Sequence, residues 1–141
     1  MAIRVLLVED SDVAINIYEK MLNSSSHIEV VGKASNGKQG LDMVSLLNPD
    51  VICADLQMPV MDGLEFTKQV MAHQPTPILV LSNAVQKSDI DNIYEVMKAG
   101  AVDVMAKPQT ALGGNSESIQ NELIVKIRVL ATKKVKAIPL K

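Results

Sequence analysis

Short apolar runs alternate with segments of helical periodicity along the chain, and this alternation limits the possible folds more than any other property of the sequence. The runs lie at residues 3–8, 28–32, 51–54, 78–81 and 101–105. Runs without polar alternation are typical of strands covered on both faces, as in a parallel sheet. Between them apolar residues recur at helical spacing, as Val13, Ile17 and Met21 do in the first segment. The pattern predicts a (βα)₅ α/β fold, a doubly wound sheet of five parallel strands with helices on both faces.

Helix boundaries are marked by residues that cap helices. Asn36 with Gln39, and Asp62 with Glu65, place a side-chain acceptor before a helical segment and a polar partner three residues later. Gly100 follows an apolar helical segment, where glycine commonly ends a helix. These signals predict helices that begin near residues 37 and 63 and one that ends before residue 100.

The length and composition indicate one globular domain. The chain has 141 residues, of which 48% are apolar, so a buried core is expected and disorder is not. No apolar run is long enough for a membrane span, and the chain does not open on a secretory leader. The lone Cys53 lies in an apolar run and is expected to be a buried, inert thiol. One cysteine cannot form an intramolecular disulfide, which favours a cytoplasmic protein.

The charges are distributed unevenly. Residues 1–125 hold 8 Lys and Arg against 16 Asp and Glu, whereas residues 126–141 hold 6 Lys and Arg and no acid. The acidic body disfavours nucleic acid as a partner. The basic end could contact a phosphate backbone or a membrane surface, but we favour a solvated helix end and linker. We therefore expect one domain over residues 1–132, a basic tail or linker start at 133–141, and neither nucleic acid nor membrane as a partner.

Polar residues follow four of the apolar runs and form the candidate site. They are Glu9, Asp10, Asp55, Ser82 and Lys107. In a doubly wound sheet, ligands bind outside the carboxyl ends of the strands, so these side chains are expected to converge. Three carboxylates in one pocket repel one another, and a divalent cation removes that repulsion. All-oxygen ligands suit Mg²⁺, which is the predicted cofactor.

The same residues resemble a known motif set. The pair Glu9-Asp10, the central Asp55 with Met58-Pro59 and Asp62-Gly63, then Ser82 and Lys107-Pro108 follow the order and spacing of receiver domains of two-component response regulators. The resemblance covers residues 3 to about 132. It implies the flavodoxin-like strand order 2-1-3-4-5 and transfer of a phosphoryl group from a histidine kinase to Asp55. It also implies a domain that promotes its own phosphorylation and dephosphorylation.

The resemblance implies a metal role for each acidic residue. Asp10 and Asp55 would ligate Mg²⁺ directly, the backbone carbonyl of Gln57 would be the third protein ligand, and Glu9 would act through water. Each of these side chains also has an ordinary structural explanation, such as a helix cap for Asp10.

The remaining motif residues are implied to bind the phosphoryl group and to switch with it. Lys107 would pair with the acyl phosphate, Ser82 would donate a hydrogen bond to it, and the bond between Lys107 and Pro108 would be cis. Asn83 departs from the more frequent alanine and is expected to make the mouth of the site more polar. Val104 stands where the family usually has an aromatic ring that rotates on activation, and a β-branched valine cannot act in that way.

Several segments resemble one subfamily more closely. They are residues 75–82, 99–108 and 123–130, which are similar to the receiver of the chemotaxis protein-glutamate methylesterase. In that subfamily a basic linker leads to a serine hydrolase with a Gly-x-Ser-x-Gly turn, and no such turn occurs here. We therefore expect no esterase site in this chain, and we favour the receiver part of a longer protein whose tethered effector is absent. The alternatives are a stand-alone receiver that acts by protein–protein interaction and a degenerate module that is not phosphorylated.

Overall fold

The computed structural model describes residues 2–82, 87–107 and 116–140. Its ten elements are β1 (Ile3–Val8), α1 (Asp12–Asn23), β2 (Ile28–Ala34), α2 (Gly37–Leu47), β3 (Val51–Asp55), α3 (Gly63–His73), β4 (Ile78–Ser82), α4 (Lys87–Lys98), β5 (Asp103–Ala106) and α5 (Ser116–Leu130). The five strands are parallel and lie in the order β2-β1-β3-β4-β5. The predicted fold class and strand order are confirmed.

The sheet is covered on both faces, which explains its apolar strands. Val5 and Leu7 of β1 pack with α1 and α5, whereas Leu6 and Val8 point to the other face and pack with α2, α3 and α4. Every residue of β3 and β4 is buried. Successive strand residues point to opposite faces, so a sheet with two covered faces needs apolar residues at every position.

The predicted caps are present. The Asn36 side chain accepts a hydrogen bond from the backbone N–H of Gln39 at 2.9 Å, and Asp62 accepts one from Glu65 at 2.9 Å. Each bond satisfies a backbone donor that the first turn of a helix leaves without a partner. Gly100 has a φ of +121°, a conformation that side chains with a Cβ rarely adopt.

The apolar series that predicts α1 is only partly buried. Val13 is 73% exposed, and the residues of α1 that enter the core are Ile15, Tyr18, Met21 and Leu22. The spacing of Val13 from Ile17 is helical, but a wide apolar stripe contains more than one such series. Strand bounds also differ slightly, because β2 continues to Ala34 and β5 begins only at Asp103.

The basic tail is not simply a solvated extension of α5. Val135 packs against the apolar cluster beneath α2, α3 and α4, and the backbone N–H of Ile138 donates to the Met71 carbonyl at 2.9 Å. The expectation of a solvated tail is therefore wrong for Val135 and for the backbone of Ile138, whose side chain is exposed. Within the described ranges, no helix combines the length and the apolar character needed to cross a membrane.

Candidate functional site

The ends of the strands bring the candidate residues together. Asp55 is the last residue of β3 and Ser82 the last of β4, whereas Glu9 and Lys107 directly follow β1 and β5. Backbone bonds fix these ends, since the N–H of Glu9 donates to Ala34 O and that of Lys107 to Ser82 O, both at 2.9 Å. The convergence expected from the sequence is therefore observed at the carboxyl edge of the sheet.

Glu9, Asp10 and Asp55 form a carboxylate cluster. One oxygen from each side chain lies within 4.8 Å of the others. Glu9 and Asp55 are only 2% and 3% exposed, while Asp10 is exposed at the mouth. We call this group, together with Lys107, the carboxylate pocket. Carboxylates at this separation repel one another, and a bound cation would relieve that repulsion.

Lys107 lies inside the pocket and partly balances its charge. Its Nζ is 2.8 Å from Asp55 Oδ2 and 3.2 Å from Glu9 Oε1. Burial alone would lower the pKa of Lys107, but the hydrogen bonds and charges of Asp55 and Glu9 outweigh burial and raise it. The ammonium is therefore held in its charged form, with the two carboxylates as its partners.

Burial perturbs the ionisation of Glu9. Burial, reinforced by the charge of Asp55, raises its pKa to about 7, although the Ser11 backbone N–H and Lys107 oppose the rise. The Ser11 N–H donates to Glu9 Oε2 at 3.0 Å, and the Tyr18 hydroxyl lies 3.4 Å from Oε1. Sequence analysis missed Tyr18, because a tyrosine at an apolar helix position gives no sign that its hydroxyl reaches the site.

The loop after Asp55 wraps closely around the end of β3. The Gln57 N–H donates to Asp55 Oδ1 at 3.2 Å, and the Gly63 N–H donates to Leu56 O at 2.8 Å. A Cβ on Gly63 would stand 2.6 Å from the Asp55 carbonyl, so only glycine allows α3 to begin this close to the strand. Val60 has a φ of +70° and sits in a γ-turn closed by a hydrogen bond from the Met61 N–H to Pro59 O.

Of the other predicted site residues, the structure describes Ser82 and Val104 but not Asn83 and Pro108. Ser82 is 7% exposed at the pocket edge. Val104 pairs with Val80 across the sheet and packs, partly buried, against the apolar cluster. Asn83 and Pro108 lie outside the described residues, so the predicted cis bond and polar mouth remain predictions.

The cysteine and the two histidines lie outside the carboxylate pocket. Cys53 is buried, and burial raises the pKa of its thiol to about 12, so it is inert as expected. His27 and His73 are exposed.

Comparison with known proteins identifies the family. Residues 5–112 match the family described as response regulator receiver domain. The protein-glutamate methylesterase/protein-glutamine glutaminase of Sulfurimonas denitrificans is 39% identical over 137 residues, covering 97% of this chain and 39% of the relative. Its counterpart in Methanococcus maripaludis is 38% identical over 134 residues, covering 95% and 36%.

Solved structures agree with this relationship. The response regulator domain of Thermotoga maritima CheB superimposes with a TM-score of 0.83 at 30% identity, covering 95% of this chain and 99% of that one. Vibrio cholerae chemotaxis protein CheY4 gives a TM-score of 0.70 at 29% identity, covering 87% and 97%. The chain belongs to the receiver domain family of two-component signalling. It is related to the chemotaxis methylesterases, of whose length it spans less than two fifths.

Proposed function

We propose that Asp55 accepts a phosphoryl group from the phosphohistidine of a histidine kinase. The observation that carries the proposal is a buried carboxylate, 3% exposed, with an ammonium at 2.8 Å and two further carboxylates within 4.8 Å. Phosphoryl transfer requires little covalent chemistry from a protein beyond in-line positioning and neutralisation of charge on the phosphoryl oxygens. Membership of the receiver family supports the same assignment.

The pocket fits Mg²⁺ by its donor set. Its donors are all oxygens, and burial beside Asp55 holds the pKa of Glu9 well above its ordinary value, a penalty that a bound cation would relieve. Asp10 and Asp55 would ligate the ion directly, the Gln57 carbonyl would add a third oxygen, and Glu9 would act through water. The bound ion would supply positive charge to the phosphoryl oxygens.

The side chains of the pocket have distinct roles in the transfer. A carboxylate oxygen of Asp55 attacks phosphorus, a P–O bond forms, and the P–N bond to the donor imidazole breaks with its electron pair leaving on that nitrogen. Lys107, which contacts Asp55 in the unmodified protein, would then pair with the new phosphoryl oxygens. Ser82 at the pocket edge would donate its hydroxyl to one of them.

The absence of an aromatic ring at Val104 changes how the signal would spread. Val104 is partly buried and pairs with Val80 in the ladder between β4 and β5, so we infer that phosphorylation moves Ser82 and the segment at residues 83–88 with little repacking around Val104. The output surface would be formed by α4, β5 and α5. Among the residues whose side chains the structure describes, these elements expose four large apolar side chains, Tyr94, Met97, Val125 and Val129.

The relatives suggest what binds that surface. The curated relatives are named as methylesterases and are much longer than this chain. We propose that the effector is a tethered methylesterase domain whose active-site mouth the surface covers while Asp55 is unmodified. A separate receiver or another partner protein is the second candidate, favoured only by the exposed apolar residues themselves.

Intact-mass spectrometry with acetyl phosphate tests phosphorylation directly. We expect the mass of one phosphoryl group to appear when Mg²⁺ is present and to be absent when it is chelated. Asp55→Asn should abolish the gain. Asp62→Asn is the matched control, because Asp62 caps α3 outside the pocket, and it should be phosphorylated normally. A comparable yield on Asp55→Asn would overturn the assignment, and no gain on the unaltered chain would favour the degenerate module.

A further inference from the structure

The tail crosses from one face of the sheet to the other. Helix α5 packs on the α1 face through Leu123, Ile127 and Leu130. After the helix ends, Val135 belongs to the apolar cluster on the opposite face. The chain therefore turns around the edge of the domain within a few residues rather than continuing away from α5.

A backbone hydrogen bond anchors the tail to α3. The Ile138 N–H donates to Met71 O at 2.9 Å. Met71 lies in the last turn of α3, where carbonyls have no partner within the helix. The tail therefore satisfies an acceptor that the helix leaves free, which is a specific contact rather than loose apolar collapse.

Gly100 makes room for the anchored side chain. A Cβ at Gly100 would lie 3.0 Å from Ile138 Cδ1 and 2.7 Å from Met71 Cγ. Helix α4 ends just before this glycine, so α3, α4 and the tail meet at one point. The missing Cβ allows Ile138 to sit against the junction of the two helices.

Beyond this junction the tail borders a groove between the two helices. The α3 side is formed by Glu65, Lys68 and Gln69, and the α4 side by Glu95, Lys98 and Ala99. Ile138, Pro139 and Leu140 complete a cavity of about 640 Å³, which we call the α3–α4 groove. Two acids and two cations leave the helical walls without net charge, and the part of the tail that lines them is apolar.

We propose that residues 135–140 dock in solution on the end of α3 and its junction with α4, where Ile138, Pro139 and Leu140 form one wall of the α3–α4 groove. The segment binds through one backbone hydrogen bond, the apolar contacts of Val135 and Ile138, and the space left by Gly100. Docking directs the chain along α3 and α4 and restrains one side of α4. The proposal does not depend on phosphorylation of Asp55.

Amide hydrogen exchange on the full chain, followed by NMR, tests the docking. The Ile138 amide should exchange about tenfold more slowly, or slower still, than the amide of exposed Ala137. Exchange of Ile138 at the rate of an unstructured peptide would overturn the proposal.

Two variants with the same introduced charge locate the contact. Ile138→Asp should shift the resonances of Met71 and Gly100 and remove protection at position 138. Ala137→Asp should leave both unchanged, because Ala137 is exposed and does not line the groove. Equal effects of the two variants would contradict specific docking. Thermal unfolding should show that both variants keep the domain folded.

Hydrogen exchange at several protein concentrations shows whether the docked segment comes from the same molecule or from a second copy of the chain. Protection that is independent of concentration supports intramolecular docking. Protection that appears only as concentration rises, together with dimers in sedimentation, would show that the tail binds a neighbouring molecule and would overturn the proposal as stated.

Discussion

The carboxylate pocket and the α3–α4 groove both join residues that are far apart in sequence, but different forces hold them. In the pocket, Lys107 stands within 3.2 Å of two buried carboxylates, so strong charges balance one another. In the groove, the tail is held by a backbone hydrogen bond and by an isoleucine that is still 41% exposed. In the pocket, attraction between Lys107 and the carboxylates therefore opposes repulsion between the carboxylates. The contacts of the tail at the groove each contribute only about 1 kcal/mol.

This difference predicts different responses to mutation. Removing a charge from the pocket leaves other buried charges without compensation, which affects both stability and ligand binding. Altering the groove changes packing near one helix end and should leave the chemistry of Asp55 intact. The variants below test that distinction, beginning with the largest expected effect.

Lys107→Ala should have the largest effect. The variant leaves Asp55 and Glu9 facing each other, and the free energy of unfolding should fall by about 2 kcal/mol, less than for a fully buried pair because Glu9 can take up a proton. Beryllofluoride mimics the phosphoryl group on Asp55. The change in the NMR chemical shift of Ser82 that it causes should be lost in this variant. Mg²⁺ affinity measured by calorimetry should not fall, because a protonated lysine cannot be a metal ligand and competes for the same carboxylates.

Lys126→Ala is the matched control for Lys107→Ala. Lys126 also forms an ion pair at 2.8 Å, with Asp103, but its side chain is 26% exposed and that of Asp103 is 41% exposed. Exposed pairs contribute little, so stability should change by less than about 1 kcal/mol and the beryllofluoride response should remain. Lost Mg²⁺ binding with normal phosphorylation in Lys107→Ala would contradict the role given to that residue.

Gly100→Ala should have a smaller effect that is confined to the groove. The φ of +121° strains any residue with a Cβ, and that atom would clash with Met71 and press on Ile138. We expect the free energy of unfolding measured with urea to fall by about 1 kcal/mol, with phosphorylation of Asp55 unchanged.

The double variant Gly100→Ala, Ile138→Ala separates the tail contact from backbone strain. Shortening Ile138 relieves one of the two steric contacts, so the combined loss should be less than the sum of the single losses by about 0.5 kcal/mol or more. Strict additivity would indicate that Ile138 does not press on this position in solution.

The pocket was predictable from the sequence because strand topology alone determines where its residues lie. Asp55 and Lys107 are separated by more than fifty positions, yet each sits at the carboxyl end of an apolar run. In a parallel sheet these ends share one edge, so no knowledge of side-chain packing is needed. The assignment of roles to Gln57, Asn83 and Pro108 came from resemblance rather than from topology, and it stays a prediction.

The contacts of the tail at the groove and the buried faces of the helices were less predictable from the sequence, because they depend on side-chain packing. Helical spacing puts Val13 in one series with Ile17 and Met21, yet Val13 is exposed, while Tyr18, which is not in that series, is buried. The tail was expected to be solvated because it is rich in lysine, but Val135 packs on the assembled helices and the Ile138 N–H donates to a carbonyl at the end of α3. Charge composition indicates average exposure and not which backbone amide will meet a free carbonyl.

Tyr18→Phe should have the smallest effect on stability. The Tyr18 side chain lies in the core, and its hydroxyl extends to the carboxylate pocket. The Tyr18 ring is 1% exposed within the cluster of α1 and α5, and phenylalanine keeps that packing. Only the hydroxyl is lost, which lies 3.4 Å from Glu9 Oε1, a long distance for this kind of hydrogen bond. The free energy of unfolding should therefore fall by no more than about 1 kcal/mol.

The informative measurement on Tyr18→Phe is Mg²⁺ affinity. The hydroxyl and the Ser11 N–H hold the two oxygens of Glu9 separately, so removal of the hydroxyl frees one side of the carboxylate. We expect Mg²⁺ binding to weaken about threefold, a loss of about 0.6 kcal/mol, while phosphorylation still occurs at saturating Mg²⁺. Tyr94→Phe is the control, since Tyr94 is 65% exposed on α4 and its loss should change neither quantity. Unchanged Mg²⁺ affinity in Tyr18→Phe would show that Lys107 and the Ser11 N–H are sufficient to orient Glu9, and that the chemistry of the pocket is independent of the core beneath it.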